Sequence, residues 1–107
     1  MTTFDEREQA FERKFIYDEE VRFKALARRN KRLGLWTAER IGLKGSDAES
    51  YAKALVAIDL RQHDESEIAT KVRDDLQAVG ASTSEPEIRQ LMHELLAKAI
   101  EEIKNGR

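Results

Sequence analysis

Two histidines, several acidic pairs, one isolated serine and one glycine-bounded lysine are the residues of this 107-residue chain that most directly suggest chemistry. There is no cysteine, which removes disulfides, thiolate zinc sites, iron–sulfur clusters and thiol catalysis together. His63 and His93 have no second histidine at ligand spacing, so no metal is expected. Asp74-Asp75 and Glu101-Glu102 are adjacent in sequence; on a helix such neighbours point to different sides, so neither makes a facing acid–base pair and both read as solvated surface. Ser46 has no base nearby, which leaves nucleophilic catalysis without machinery. Gly42-Leu-Lys-Gly-Ser46 lacks the four-residue spacer and the GK[ST] ending of a phosphate loop. It reads as a helix stop, a turn and a helix start, with Lys44 and Ser46 kept as an alternative weak anion site. No catalytic residue, metal or cofactor is expected. The chain reads as a non-enzyme.

Charge suggests binding more than catalysis. Nineteen basic and 21 acidic residues leave a net charge of only −2, against a dedicated polyanion binder. The near-neutral total is segregated, however. Residues 1–20 hold seven acids and three bases, net −4; residues 21–45 hold eight bases and one acid, net +7; residues 46–107 hold eight bases and thirteen acids, net −5. The basic block, with Arg28, Arg29, Lys31 and Arg32 at its centre, is either a solvated face balanced by acidic helices or a candidate docking surface for an acidic partner. Acidic flanks and the lack of a helix-turn-helix pattern argue against nucleic acid, and none is expected as a partner. No apolar run approaches the ~18 residues of a membrane span, and the acidic N-terminus has no signal-peptide shape; no direct membrane insertion is expected, and the reading is soluble and intracellular.

The elements that carry these residues are helical. Ala, Glu, Leu, Lys, Arg and Gln dominate, and the single proline is Pro86. Thr3–Glu6, Ser46–Glu49, Asp64–Glu67 and Ser84–Glu87 read as capping boxes or near variants, while Gly42, Gly45, Gly80 and Gly106 fall where periodicity stops. The spacing predicts helices over 3–41, 46–62, 64–79 and 84–104. Their apolar stripes are Tyr51, Leu55 and Ile58; Ile68, Val72, Leu76 and Val79; and Ile88, Leu91, Met92, Leu95, Leu96, Ala99, Ile100 and Ile103. Short joints suit antiparallel neighbours, so the fold expected is all-α, a four-helix bundle with a long first helix whose N-terminal part is mobile or protruding.

The first segment is too long for so small a bundle, close to 60 Å at ~1.5 Å per residue. Phe4, Phe11, Phe15, Leu26, Leu33 and Trp36 share one helical sector, but Asp18, Glu19 and Arg22 interrupt it. A continuous buried seam does not take three charges in succession. Leu26, Leu33, Trp36 and Ile41 are therefore assigned to the bundle, with Trp36 in the core. The three phenylalanines either fold back as further core or form a helix-in-groove peptide that orders inside a partner.

The stretch TTFDEREQAFERKFIYDEEVRFKALARRNKRLGLWTAE, from Thr2 through Glu39, closely resembles the start of the zeta subunits of alphaproteobacterial F-type ATP synthases, natural inhibitors of that enzyme's ATPase activity. AFERKF and LARRNKRLGLW are the specific blocks; YAKALV at 51–56, KVRDDL at 71–76 and EIRQLMHELLAKAI at 87–100 extend the resemblance more loosely. It implies a four-helix bundle whose N-terminal segment inserts as a helix at a catalytic α/β interface near the central γ shaft and blocks rotation in the hydrolytic direction. Carried over by position, the inhibitory element is Thr2 to about Glu19, containing Phe4, Arg7, Phe11, Arg13 and Phe15. The implied division is 1–20, inhibitory segment, and 21–107, helical bundle. The implied partners are the α, β and γ subunits, on the cytoplasmic-side catalytic head. Two other classes stay open: a small nucleotide-responsive helical binding module, with its anion at Lys44 and Ser46, and a generic helical adaptor with an unrelated partner. Chemical shifts on adding ATP or ADP test the first, and pull-down from native cytoplasm tests the second.

Overall fold

Helix-start and helix-stop chemistry sets the boundaries observed in the computed structural model, which describes residues 19–62 and 65–106. Four helices form there: α1 (Glu19–Arg40), α2 (Gly45–Gln62), α3 (Glu65–Ala78) and α4 (Glu85–Lys104), with no strand among the described residues. The expected helical bundle is therefore found. The part of the expected first helix before Glu19 lies outside the described residues. Successive helices pack as neighbours: α1 lies mainly against α2 and α4, and α3 closes the far side between those two.

Both well-described joints close in the same way. The Leu43 N–H donates to the Ala38 carbonyl and Gly42 N–H to Glu39; the Ala81 N–H donates to Leu76 and Gly80 N–H to Gln77. This paired six-to-one and five-to-two pattern satisfies carbonyls that a helix end leaves open, and it needs a left-handed residue at the turn, supplied by Gly42 at φ 86° and Gly80 at φ 76°. Because α3 ends at Ala78, Val79 leaves the expected stripe and stands exposed. At the start of α4, the Ser84 hydroxyl accepts from the Glu87 N–H at 3.3 Å and donates to the Glu87 carboxylate at 3.0 Å, with Pro86 in the first turn. Ser46 differs from expectation. The helix begins at Gly45 and the Lys44 carbonyl accepts from Asp47 N–H, so Ser46 sits inside the first turn instead of capping it.

Burial is divided into two clusters. The larger joins Leu33 of α1, Leu55 and Ile58 of α2, Ile68, Ala69, Val72 and Leu76 of α3, and Ile88 and Met92 of α4. Trp36 and Ile41 pack against its edge, so Trp36 is half-buried at the margin of the core, with the Arg40 guanidinium 3.8 Å from its ring centre. The smaller cluster joins Ala25 to Ala99 and Ile100, with Leu96 and Ile103 beside them. Residue 25 thus shares a cluster with 99 and 100, and residue 33 with 88 and 92, as antiparallel helices require.

α1 and α2 approach most closely at Gly34. A methyl group placed there would stand 2.5 Å from Ala52 Cα and 2.9 Å from Ala52 Cβ. The inward face of α1 is correspondingly small or polar: Ala25, Arg29, Asn30, Leu33, Gly34, Thr37 and Ala38 are its buried residues. Thr37 satisfies its buried hydroxyl within the helix, donating to the Leu33 carbonyl at 2.8 Å.

A polar tie adds to the apolar contact between α2 and α3. The Tyr51 hydroxyl donates to Asp75 Oδ2, which also accepts from Lys71 Nζ at 2.9 Å, and Lys71 lies 5.1 Å from the Tyr51 ring centre. Burial, then the carboxylate it bonds, pushes the Tyr51 phenol well above its ordinary value. Asp75 is consequently engaged, not part of a solvated pair, while Asp74 is exposed as expected. Tyr51→Phe keeps the ring and removes only the bond, so a stability loss of about 1 kcal/mol is expected by denaturant titration. No measurable change would remove this bond from the forces holding α2 to α3.

Candidate functional site

The basic stretch of α1 was the most conspicuous charged feature of the sequence, and the fold separates its members. Lys31 is exposed, Arg28 and Arg32 are half-buried, and Arg29 is buried completely. Arg29 occupies the inward i, i+4 row between Ala25 and Leu33 and therefore turns into the bundle. Its Nη1 donates to Glu65 at the start of α3, and its Nε donates to Asn30 Oδ1 at 3.0 Å. Glu65 keeps 56% of its side chain exposed, so this pair runs from the interior to the surface. It lies in sequence between the two apolar clusters of α1 and separates them with a polar layer. The Arg29 guanidinium is thus buried, with its Nη1 spent on Glu65 and its Nε on Asn30.

Arg28 and Arg32 meet a single carboxylate. Arg28 Nη1 lies 3.1 Å and Arg32 Nη2 2.7 Å from Glu102 Oε1, in the last turn of α4. The Glu102 side chain is 19% exposed. The hydrogen bond from Arg32, with that from Arg28, holds its carboxyl below the usual carboxylate range. Glu102 is therefore an anchored residue and not the solvated surface expected of the Glu101-Glu102 pair; Glu101 is exposed. Arg28, Arg29 and Arg32 each meet an acid on a neighbouring helix. Lys31 alone of the four presents a fully exposed charge.

Phe4, Arg7, Phe11, Arg13 and Phe15, the expected partner-binding residues, lie outside the described residues. Within α1, Glu19 and Arg22 are exposed, as the interrupted seam requires. Phe23, which sequence reasoning did not single out, stands 55% exposed on the outer side of the same helix. Its available signal was its place off the Ala25–Arg29–Leu33 row, a row that hydrophobicity alone does not reveal because an arginine occupies it.

The remaining candidates do not converge. Lys44 and Ser46 are both exposed in a turn whose backbone bonds belong to the helix stop and start. His93 is exposed on α4 and lines a shallow cleft with Glu65, Arg89, Met92 and Leu96, in which Arg89 already donates to Ser66 Oγ at 3.0 Å. Among the described residues no group of three potential metal ligands occurs, and no helix is long and apolar enough to cross a membrane. What the bundle offers is a helix, α1, tied on one side to α4 through Glu102 and through its interior to α3 through Arg29.

A family model described as ATPase inhibitor subunit zeta matches the chain over residues 1–102. No curated protein matches the chain.

Proposed function

The chain belongs to the ATPase inhibitor subunit zeta family, and from that premise we propose that it inhibits ATP hydrolysis by F-type ATP synthase through insertion of residues 2–19 at a catalytic α/β interface near the central γ shaft. Membership in an inhibitor-subunit family implies interaction with an ATP synthase and a regulatory, not a catalytic, part in it. The single observation that carries the reading is the extent of the match, which takes in the N-terminal third as well as the bundle. We place the association on the cytoplasmic-side catalytic head, and take residues 1–20 as the inhibitory segment and 21–107 as the bundle that anchors it outside the cleft.

The physical mechanism is a wedge. Phe4, Phe11 and Phe15 fill apolar pockets of the partner subunits, each aromatic contributing about 1.5–3 kcal/mol before ordering costs. Arg7 and Arg13 pair with acids lining the same cleft, and a helix lodged against the shaft opposes rotation in the hydrolytic direction. ATPase measurement on the purified parent enzyme, with and without this protein, tests the proposal, and unaltered hydrolysis rejects it. Phe11→Ala and Phe15→Ala are expected to weaken inhibition roughly tenfold or more each while scarcely moving the melting temperature. A large fall in melting temperature would return those residues to the bundle core.

A further inference from the structure

The two halves of α1 are held by different forces. From Leu33 onward the helix is seated in the main core. On the N-terminal side of the buried Arg29–Asn30 layer, its apolar cluster is Ala25 against Ala99 and Ile100, with Leu96 and Ile103 alongside. A contact whose α1 member is a single methyl group buries little area and opposes rotation of the helix weakly. Beside it stands the Glu102 carboxylate, receiving Arg28 Nη1 at 3.1 Å and Arg32 Nη2 at 2.7 Å on one oxygen. Arg28 and Arg32 are one helical turn apart on one face of α1, so a single acceptor on α4 gathers both. Two arms from successive turns of α1 converging on one oxygen oppose rotation of that part of the helix about its axis more than a single bond would. The three side chains are only 19–36% exposed, which limits screening of the attraction by salt.

We propose that Glu102 is a positioning residue for the N-terminal segment: by clamping Arg28 and Arg32 it opposes rotation of the N-terminal half of α1, so the last turn of α4 influences how residues 2–19 meet their partner. This rests on the inhibitory reading above. Glu102 touches no part of the ATP synthase in this scheme and acts only through α1. Preorganisation of this kind raises apparent affinity in proportion to the fraction of molecules holding the correct orientation.

The chain has no cysteine, so nitroxide labels can be placed uniquely at Arg22→Cys and Lys98→Cys, two exposed positions on α1 and α4. In the full-length protein, a narrow distance distribution is expected with Glu102 present, and a broadened or shifted one in Glu102→Gln. Inhibition by Glu102→Gln should require roughly tenfold more protein if the oriented fraction falls to about a tenth, with the cooperative melt of the bundle retained. Glu102→Asp, which keeps the charge, should fall between. Arg32→Gln removes the shorter arm from the other side and should reproduce the broadening even if Glu102→Gln fails to fold. An unchanged distance distribution in the substituted proteins overturns the proposal, as does undiminished inhibition by a variant whose distribution has broadened. If the unaltered protein leaves ATP hydrolysis unaffected, the inhibitory reading fails, and the clamp is then judged by the distance distribution alone.

Discussion

Deleting residues 2–19 is expected to abolish inhibition of ATP hydrolysis while leaving a helical bundle that melts cooperatively. The two effects separate if residues 2–19 serve the partner and not the bundle; among the described residues the apolar clusters draw on Ala25 to Ile103. The deleted stretch carries Phe4, Phe11 and Phe15 together with Arg7 and Arg13. Three aromatics contributing about 1.5–3 kcal/mol each amount to several factors of ten in affinity at one factor per about 1.4 kcal/mol, even after ordering costs are subtracted. Hydrolysis by the parent enzyme should therefore be unaffected by the truncated protein at concentrations where the full chain inhibits fully. Its thermal transition, followed by circular dichroism, should move by no more than a few degrees. Equal inhibition by the truncated chain would reject the wedge, and collapse of the transition would show that the segment also builds the bundle.

Gly34→Ala should produce the largest loss of stability of any single methyl added to α1. On an isolated helix this change is favourable by about 1 kcal/mol, since alanine is the better helix former. Here the added carbon would lie 2.5 Å from Ala52 Cα and 2.9 Å from its Cβ, well inside contact distance. Backbone cannot rotate away as a flexible side chain can, so α1 and α2 must separate, and the Leu33–Leu55 region of the core loosens with them. Overpacking of this kind costs about 1–3 kcal/mol, which for a domain of this size lowers the melting temperature by roughly 5–15 °C. Adding Ala52→Gly removes the Cβ collision but not the one with Cα, so only part of the loss should return. A melting temperature equal to or above that of the unaltered protein would show that helix propensity outweighs the close approach.

Both predictions draw on features that differ in how far they could be read from the chain. The stripe of α4 was legible because its large apolar residues recur at helical spacing: Ile88, Met92, Ala99 and Ile100 are buried, with Leu91, Leu95, Leu96 and Ile103 half-buried around them. The stops at Gly42 and Gly80 were legible for an equally local reason, since a left-handed helix end favours glycine. Val79 marks the limit of such reading. It continues the α3 pattern in sequence but falls past the last helical residue, where the turn exposes it.

The inner face of α1 was only partly legible because it carries few large apolar groups: Leu33 is in the core and Trp36 and Ile41 pack against its edge. Leu26, Leu33 and Trp36 suggested one sector, whereas the buried row is formed by Ala25, Arg29, Asn30, Leu33, Gly34, Thr37 and Ala38. Small residues weigh little in a hydrophobic pattern, although they are what permits the approach of α1 to Ala52. The same row explains Arg29, whose type suggests a surface and whose position between Ala25 and Leu33 places it inside. Gly34, the one glycine inside a periodic stretch, was the local sign of that close crossing.

Helix type, approximate helix limits, the all-α class and the family resemblance were thus contained in the chain, because each depends on interactions among residues near one another or on short blocks of sequence. The fate of the charges was not. Whether Arg28, Arg29 and Arg32 face a partner or their own bundle depends on where Glu65 and Glu102 arrive from α3 and α4, 36 and 74 residues away from Arg29 and Arg28. The rotation of a helix about its own axis is a property of its neighbours, and only the packed bundle decides it.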